Sequence, residues 1–205
     1  MTEPATAAEV AAWINAASRR RDPYEDVRVA SHRHREQHGH GCTVFPTSGG
    51  PLLAVLAAAI AAERVLEVGT GLGYSALCLA SAGAAVETIE GDPRHAGLAR
   101  SIVAERRARV DVVEGRAIDV LRTRSSLYDL VFCDADPAGY ADLLDEFARL
   151  LRGGGLLISA NLFLAQFADD IRGLDELARY RERVVTDERL RTAFVPGGMA
   201  LSVRR

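Results

Sequence analysis

The chain contains no lysine, because every one of its 25 basic residues is an arginine. This absence excludes reactions that need a lysine nucleophile, a lysine Schiff base or a lysine that holds phosphate groups. Aromatic residues are also scarce, at 6% of the chain, and the longest apolar run, "PLLAVLAAAIAA", is too short to span a bilayer. We therefore expect no membrane insertion.

The chain also has no excess of basic charge. With 25 basic and 28 acidic residues, the formal net charge is −3, which offers no positive field to a nucleic acid or an anionic membrane. Three cysteines are an odd count, and Cys78 and Cys133 lie in apolar runs typical of small buried side chains. The first residues are acidic and alanine-rich and do not resemble an export signal. We expect a cytoplasmic protein without a nucleic-acid or membrane partner.

The length of 205 residues and the 48% hydrophobic content predict a single domain over residues 1–205. Residues 1–50 form a helical lid or appendage in this interpretation, with helices over 5–18 and 24–37, the second ending at Gly39, and then a loop. Val10, Trp13 and Ile14 form an apolar stripe on the first helix. Because this stripe has no assigned place in the core, we expect a homodimer.

Residues 51–205 alternate between helical and strand patterns, which predicts repeated βα units and a parallel sheet buried on both faces. A stop at Gly153–Gly155 precedes the fifth predicted strand, and "RERVVTD" and "MALSVRR" are candidates for a terminal antiparallel hairpin. The predicted helices cover 52–62, 74–82, 94–107, 117–122, 138–151 and 165–179, and the predicted parallel strands cover 64–69, 85–90, 110–114, 128–134 and 155–160.

A glycine-rich turn follows the first of these strands in "LEVGTGLGYSAL". Such a turn, placed between a strand and a helix, lets a nucleotide approach the backbone closely. In the dinucleotide motif G-x-G-x-x-G counted from Gly69, however, Tyr74 occupies the third glycine position, and the Glu67 carboxylate beside the turn would repel a pyrophosphate. The pattern therefore favours a ligand with a cationic part and disfavours a nicotinamide-dependent oxidoreductase.

Three further strand ends carry residues suited to an adenosine ligand. Glu90 ends the second strand, from which a carboxylate can accept hydrogen bonds from both ribose hydroxyls. Gly115 to Ala117 offer a turn of small residues at the third strand end, against which an adenine could lie, and Asp134 and Asp136 follow the fourth. We expect all of these groups at one edge of the sheet.

Together these residues resemble a class I S-adenosylmethionine-dependent methyltransferase, specifically the small O-methyltransferase family that includes catechol and caffeoyl-CoA O-methyltransferases. The resemblance covers roughly residues 40 to 205 and is carried by "VLEVGTGLGYSALCLA", "VETIEGD", "VVEGRAIDVL", "YDLVFCDADPAGY" and "VPGGMALSV". It implies an α/β Rossmann-like fold with a seven-stranded, mostly parallel sheet that ends in an antiparallel hairpin. It also implies methyl transfer to a small-molecule hydroxyl, with phenols as candidate acceptors.

The resemblance assigns S-adenosylmethionine to a defined set of residues. Glu67, Gly69, Thr70 and Ser75 would hold the methionine part under Phe45, while Glu90 would bind the ribose and Ala117 would border the adenine. The full set of expected cofactor-binding residues is Phe45, Glu67, Gly69, Thr70, Gly71, Tyr74, Ser75, Glu90, Ala117, Asp134 and Asp136.

The chain departs from the family pattern where the acceptor would be activated. Members typically hold a divalent metal such as Mg²⁺ on an Asp after strand four and an Asp-Asn pair after strand five. Asp134 and Asn161 match two of these ligands, but Ala160 replaces the second Asp, and Pro137 stands where the family has a lysine base. We therefore expect an incomplete metal site and little or no metal dependence, and a non-catalytic S-adenosylmethionine-binding protein is the alternative.

Histidines are concentrated in "SHRHREQHGHG". His34 and His38, four residues apart on the second predicted helix, could supply half a metal site or a substitute general base, or could simply belong to a solvated helix face. Asp169 and Asp170 are a further, off-register possibility for the missing metal ligand.

Overall fold

The computed structural model describes residues 6–39, 42–47, 49–163, 171–195 and 198–205. The helices in this part of the chain are α1 (Ala7–Arg19), α2 (Glu25–His38), α3 (Gly50–Ala59), α4 (Tyr74–Ala80), α5 (Pro93–Glu105), α6 (Ala117–Arg122), α7 (Tyr140–Leu150) and α8 (Ile171–Thr186), with a 3₁₀ turn over Pro137–Gly139. The strands are β1 (Arg64–Val68), β2 (Ala85–Glu90), β3 (Val110–Glu114), β4 (Tyr128–Cys133), β5 (Leu151–Ser159), β6 (Leu190–Val195) and β7 (Met199–Arg204).

The strands form one seven-stranded sheet in the order β3-β2-β1-β4-β5-β7-β6. The first five strands are parallel, and β7 runs antiparallel to both β5 and β6. The predicted mostly parallel sheet with a terminal antiparallel hairpin is thus confirmed. The chain order reverses between β1 and β4, so the crevice at the carboxyl ends of these two strands is the expected ligand site.

Apolar side chains cover both faces of the sheet, because successive residues of a strand point to opposite sides. Leu66 and Val68 of β1 pack in a buried cluster that also contains side chains of α7 and α8. Val65, which precedes Leu66 and points to the opposite side of the sheet, packs in a second cluster with Leu53 of α3. This two-sided burial explains the continuous apolar runs in the sequence.

The prediction of a strand over "RERVVTD" was wrong, because these residues belong to α8 down to Thr186. Leu177, Tyr180 and Val184 recur at helical spacing and are all fully buried. The outer strand of the hairpin is instead β6, Leu190–Val195. Of the helix predicted over 165–179, residues 165–170 lie outside the described part of the chain.

The glycine run at 153–155 was expected to precede the fifth strand. It lies inside β5 instead. The pairing with β4 shifts there, from Tyr128 opposite Leu151 to Leu130 opposite Leu156. A side chain at Gly155 would stand 2.9 Å from the Arg152 carbonyl oxygen, so a glycine is needed at this bulge.

The two N-terminal helices have different surroundings. Helix α2 buries Val27 and Ser31 and ends at Gly39, as predicted. Helix α1 leaves Val10, Trp13 and Ile14 exposed, and Trp13 alone retains 69% of its accessible surface. None of the described helices combines the length and apolar character that crossing a membrane requires.

Candidate active site

Hydrogen bonds continue the sheet one residue beyond the strand ends and thereby fix the candidate site. The Gly69 amide donates to the Ile89 carbonyl oxygen at 3.0 Å, and the Asp134 amide donates to the Val68 carbonyl oxygen at 2.9 Å. The Gly115 amide bonds to the Glu90 carbonyl oxygen at 2.9 Å in the same way. The predicted convergence of residues from four strand ends is therefore present.

The turn between β1 and α4 needs glycine for two reasons. Gly69 has a φ of +101°, which side chains rarely allow, and a Cβ there would overlap the Asp134 carbonyl oxygen. Gly71 and Gly73 also have positive φ values, 55° and 89°. The backbone of the turn therefore passes close to the end of β4.

Glu67 is fully buried beneath this turn, with no exposed surface. Its Oε2 accepts a hydrogen bond of 2.5 Å from the Thr88 hydroxyl, because Glu67 and Thr88 lie opposite each other in the β1–β2 register. Its Oε1 has no hydrogen-bond partner among the described residues. Burial raises the pKa of Glu67 to about 8, although the Ser75 and Thr88 hydroxyls oppose the rise. A donor bearing positive charge would satisfy Oε1 and favour the ionised carboxylate.

Glu90 is held by two backbone amides at the end of β2. Its Oε2 accepts from Gly71 at 2.8 Å and its Oε1 from Asp92 at 2.9 Å. The side chain is 8% exposed, so its orientation is fixed before any ligand arrives. Each carboxylate oxygen keeps a second lone pair that can accept a hydrogen bond from a ribose hydroxyl.

Asp134 and Asn161 meet at the ends of β4 and β5. The Asn161 amide donates to Asp134 Oδ1, and Asn161 has a φ of +61°. Burial raises the pKa of Asp134 to about 7, and the bond from Asn161 opposes that rise. Ala160 is 3% exposed and brings no oxygen to the pair from its side chain. Asp169 and Asp170 lie outside the described residues.

The other predicted cofactor residues lie around this edge in different ways. Thr70 is buried, with its hydroxyl 2.6 Å from that of Thr88, and Ser75 is buried in the first turn of α4. Ala117 begins α6 and is half-buried. Asp136 is exposed and caps the 3₁₀ turn by accepting from the Ala138 amide at 3.0 Å.

Two predicted residues have side chains engaged with the N-terminal segment. The Tyr74 hydroxyl donates to Asp22, and burial together with that bond raises the Tyr74 pKa far above its usual value. Any contact of Tyr74 with a cofactor would therefore come from its backbone. Phe45 is 37% exposed and lies under the Arg35 guanidinium, whose central carbon is 3.2 Å from the ring centroid.

The two predicted base candidates pack against each other. The rings of His34 and His38 stack with centroids 4.1 Å apart, and His38 Nδ1 bonds to the His34 carbonyl oxygen at 2.8 Å. His34 also contacts His95 edge-on, with centroids 5.3 Å apart. Their role as a general base stays a prediction.

Sequence reasoning missed Thr88, which links Glu67 to Thr70. A threonine two residues before Glu90 on a strand shares the face of that carboxylate, and this spacing could have indicated it. Sequence reasoning also missed the approach of Cys42 and His95 to His34. That approach had no signal, because His95 is 53 residues from Cys42 along the chain.

Known proteins share both this sequence pattern and this architecture. The sequence profile described as "O-methyltransferase" matches residues 26–205. The chain belongs to the O-methyltransferase family. A relative from Mycobacterium tuberculosis (strain ATCC 25618 / H37Rv), named "Probable O-methyltransferase Rv1220c", is 39% identical over 185 residues, covering 85% of this chain and 82% of that protein.

Two solved structures have the same fold. Cofactor-bound Rv0187 from MTB has a TM-score of 0.81 and 27% identity, covering 99% of both chains. The O-methyltransferase TomG from Streptomyces achromogenes, involved in tomaymycin synthesis and solved in complex with SAM, has a TM-score of 0.76 and 25% identity, covering 95% of both chains. The family and the Rossmann-like fold expected from the sequence are confirmed, and an O-methyltransferase is favoured over the non-catalytic alternative.

Proposed function

We propose that this O-methyltransferase transfers the methyl group of S-adenosylmethionine to the hydroxyl of a small molecule, with phenols as the first candidates. The observation that carries the proposal is Glu67 Oε1, a buried carboxylate oxygen beside a glycine turn that has no hydrogen-bond partner among the described residues. The cofactor would supply a methyl group already activated on a sulfonium. The protein's task is then to bind, orient and exclude water.

The residues present fit this cofactor. Glu67 would accept a hydrogen bond from its ammonium group, and Glu90, held by Gly71 and Asp92, would accept from the ribose. Ala117 at the start of α6 would border the adenine. Asp134 and Glu90 both raise the Glu67 pKa, so further negative charge is disfavoured at this edge, whereas a bound positive charge would favour the ionised form of Glu67. A cation is favoured there over a pyrophosphate.

The residues present do not fit the divalent metal of the family. Mg²⁺ prefers near-octahedral oxygen coordination with carboxylates, waters and substrate oxygens. Asp134 is the single carboxylate of the expected ligand set, and one of its oxygens already accepts from the Asn161 amide. We therefore propose methyl transfer that does not depend on Mg²⁺.

Acceptor activation must then come mainly from alignment. The family's lysine base is replaced by Pro137, which is buried at the start of the 3₁₀ turn, and the chain has no lysine to substitute. Holding the acceptor oxygen in line with the methyl group can itself contribute roughly 7 kcal/mol or more. We expect the best acceptors to be hydroxyls that are already acidic, with His34 and His38 as the candidate bases.

The direct test is methyl transfer from radiolabelled S-adenosylmethionine to phenols of graded acidity, with and without EDTA. We expect rates that increase with acceptor acidity and that, after EDTA treatment, are unchanged by added Mg²⁺. Binding of S-adenosylhomocysteine without transfer to any acceptor would favour the non-catalytic alternative. Preferential binding of a nicotinamide dinucleotide would contradict the assignment altogether.

We also propose that the protein acts as a homodimer. The exposed Val10, Trp13 and Ile14 of α1 support this, and Leu52 and Val55 of the neighbouring α3 are exposed as well. Replacing Trp13 by Glu should shift the mass seen by light scattering from dimer to monomer, while the exposed Val29→Glu on α2 should not. A natural chain that runs as a 22.1 kDa monomer would contradict the proposal.

Two further proposals concern the setting of this site. The segment over residues 1–50 would act as a lid on the core over residues 51–205, and the burial of Val44 against Leu72 of the glycine turn supports this. The three cysteines are unpaired and buried, which supports a location in a reducing cytoplasm.

A further inference from the structure

Three potential metal ligands from three separate segments meet beside α5. His34 lies in α2, Cys42 lies in the segment after that helix, and His95 lies in the first turn of α5. One ligand atom of each residue lies within 4.8 Å of the other two, and Cys42 Sγ is 4.0 Å from His95 Nε2. In the described part of the chain, this is the one group of three or more such residues at this spacing.

The polar atoms of this cluster lack ordinary partners. Cys42 and His95 are 5% and 6% exposed, and His34 Nε2 and His95 Nδ1 are buried without a hydrogen bond. Only three buried side-chain atoms of the described residues are in that condition, and the third is Glu67 Oε1 in the cofactor site. Because an unsatisfied buried nitrogen is costly, His34 Nε2, in the same cluster as Cys42 and His95, indicates a missing ligand.

The local structure places His95 in the manner of a metal ligand. Asp92 caps α5 by accepting from the His95 amide, so the His95 ring is fixed in the first helical turn. An Asp92 carboxylate oxygen lies 3.8 Å from His95 Nδ1, while His95 Nε2 faces Cys42. A carboxylate behind the non-ligating nitrogen is the usual support of a histidine that binds a metal through the other nitrogen.

The donor set and its spacing suit zinc. Two imidazole nitrogens and a thiolate are soft ligands of the kind that Zn²⁺ prefers and Mg²⁺ does not. In a tetrahedral zinc site the nitrogen and sulfur ligands are about 3.6 Å apart. The observed spacings, 4.0 Å for one pair and at most 4.8 Å for all three, need only small side-chain shifts to reach this value.

We propose that His34, Cys42 and His95 bind a zinc ion, with a water as the fourth ligand. The Cys42 thiol loses its proton to solvent when the ion binds, and both histidines bind as neutral imidazoles. The site is separate from Asp134 and Asn161 and takes a different class of metal.

The bound ion would tie α2 and the Cys42 segment to α5. Cys42 packs with Val44 and Leu72, and Val44 Cγ1 is 3.6 Å from the position that a Cβ of Gly71 would occupy. Zinc would thus hold the N-terminal segment over the glycine turn. This role is structural, and a zinc-bound His34 would leave His38 as the candidate base of the proposed reaction.

The test uses the full chain, stripped with EDTA, dialysed and titrated with Zn²⁺ against a chromophoric chelator. We expect one zinc per chain and a rise in melting temperature on binding. Cys42→Ala, His34→Asn and His95→Asn should each weaken binding more than about 100-fold, since loss of even a supporting residue costs 10- to 100-fold. His32→Asn, the matched control on the same helix, should leave it unchanged, because His32 is exposed and bonds to Arg28.

Cobalt substitution keeps the proposal testable if a variant fails to fold. Co²⁺ bound to the natural chain should show tetrahedral d–d bands and a thiolate-to-cobalt charge-transfer band. Stoichiometric binding that survives all three substitutions, the absence of the thiolate band, or no binding of Zn²⁺ to the natural chain would each overturn the assignment.

Discussion

The candidate active site has a cofactor half at the ends of β1 and β2 and an acceptor half at the ends of β4 and β5. The two halves differ in how many of the expected binding groups they contain. At the ends of β1 and β2, Glu67 and Glu90 are buried, oriented by hydrogen bonds and supplied with free acceptor capacity. At the ends of β4 and β5, Asp134 is bonded to the amide of Asn161, next to a buried alanine. The groups of the first half suit a cationic nucleoside, whereas those of the second half would bind a divalent ion only weakly.

This difference shows that the two tasks of the site are separable. The cofactor half depends on backbone geometry and carboxylates that the strands themselves position. The acceptor half depends on a few side chains. In this chain, Ala160 and Pro137 occupy the positions where the resembled family has the second metal-binding Asp and the lysine base. Under the proposed function, the fold would retain cofactor binding and acceptor alignment without the metal and the lysine base.

The largest effect should follow Gly69→Val in the cofactor half. A Cβ would overlap the Asp134 carbonyl oxygen, and φ is +101°, so we expect a loss of roughly 3 kcal/mol or more in the free energy of unfolding, with no binding of S-adenosylhomocysteine. Urea unfolding and calorimetry measure the two effects. The control is Gly97→Ala on α5. A Cβ at this position would meet no other atom within 4 Å, so the variant should be neutral or stabilising. Normal binding in the valine variant would contradict the proposed close approach.

Glu90→Ala should weaken S-adenosylhomocysteine binding by roughly 100-fold. Each charge-assisted hydrogen bond to the ribose contributes roughly 1.5 to 3 kcal/mol, and the Gly71 amide would also lose its acceptor. Calorimetry compares this variant with Glu114→Ala, at the matched position of β3. Equal affinities for the two variants would remove Glu90 from the ribose site.

The pH dependence should separate the two halves further. Folded Glu67 has its pKa raised to about 8 from its ordinary 4.5, so the folded state holds a proton that the unfolded state releases between these values. The free energy of unfolding without ligand should therefore fall as the pH rises from 4.5 to 8. Glu67→Gln should remove this share of the slope and leave a smaller share from Asp134, whose pKa is raised to about 7. A slope unchanged in Glu67→Gln would contradict the assignment.

The smallest effect should be that of Mg²⁺ added to the EDTA-treated natural chain, where we expect no change in methyl transfer. Ala160→Asp would place a second carboxylate beside Asp134 and should create Mg²⁺ binding, detectable by calorimetry. Because Ala160 is 3% exposed, this variant should also be less stable without the metal. Complete loss of activity in EDTA that added Mg²⁺ restores and added Zn²⁺ does not would show that Asp134 and Asn161 hold a divalent ion needed for the reaction.

Most of the sheet could be predicted because parallel strands buried on both faces are marked by continuous apolar runs such as "YDLVFC". The last helix could not, because "RERVVT" suits a short strand as well as a helix end, and only the burial of Val184 beside Leu177 and Tyr180 decides between them. The glycines in β5 were misplaced for a similar reason: a bulge depends on the pairing with β4, which lies outside the local sequence.

The sequence by itself determined which groups stand at the strand ends. A strand pattern followed by a glycine turn places Glu67 and Gly69 at the end of the first strand, and Glu90 is the last residue of the second strand pattern. It also determined what is missing, since neither lysine nor the second metal carboxylate is present. Only the tertiary structure decided which groups meet across elements. Thr88 reaches Glu67 through strand register, and His34 and Cys42 reach His95 through the packing of α2 against the core. Such contacts join distant segments, and no local pattern encodes the distance between them.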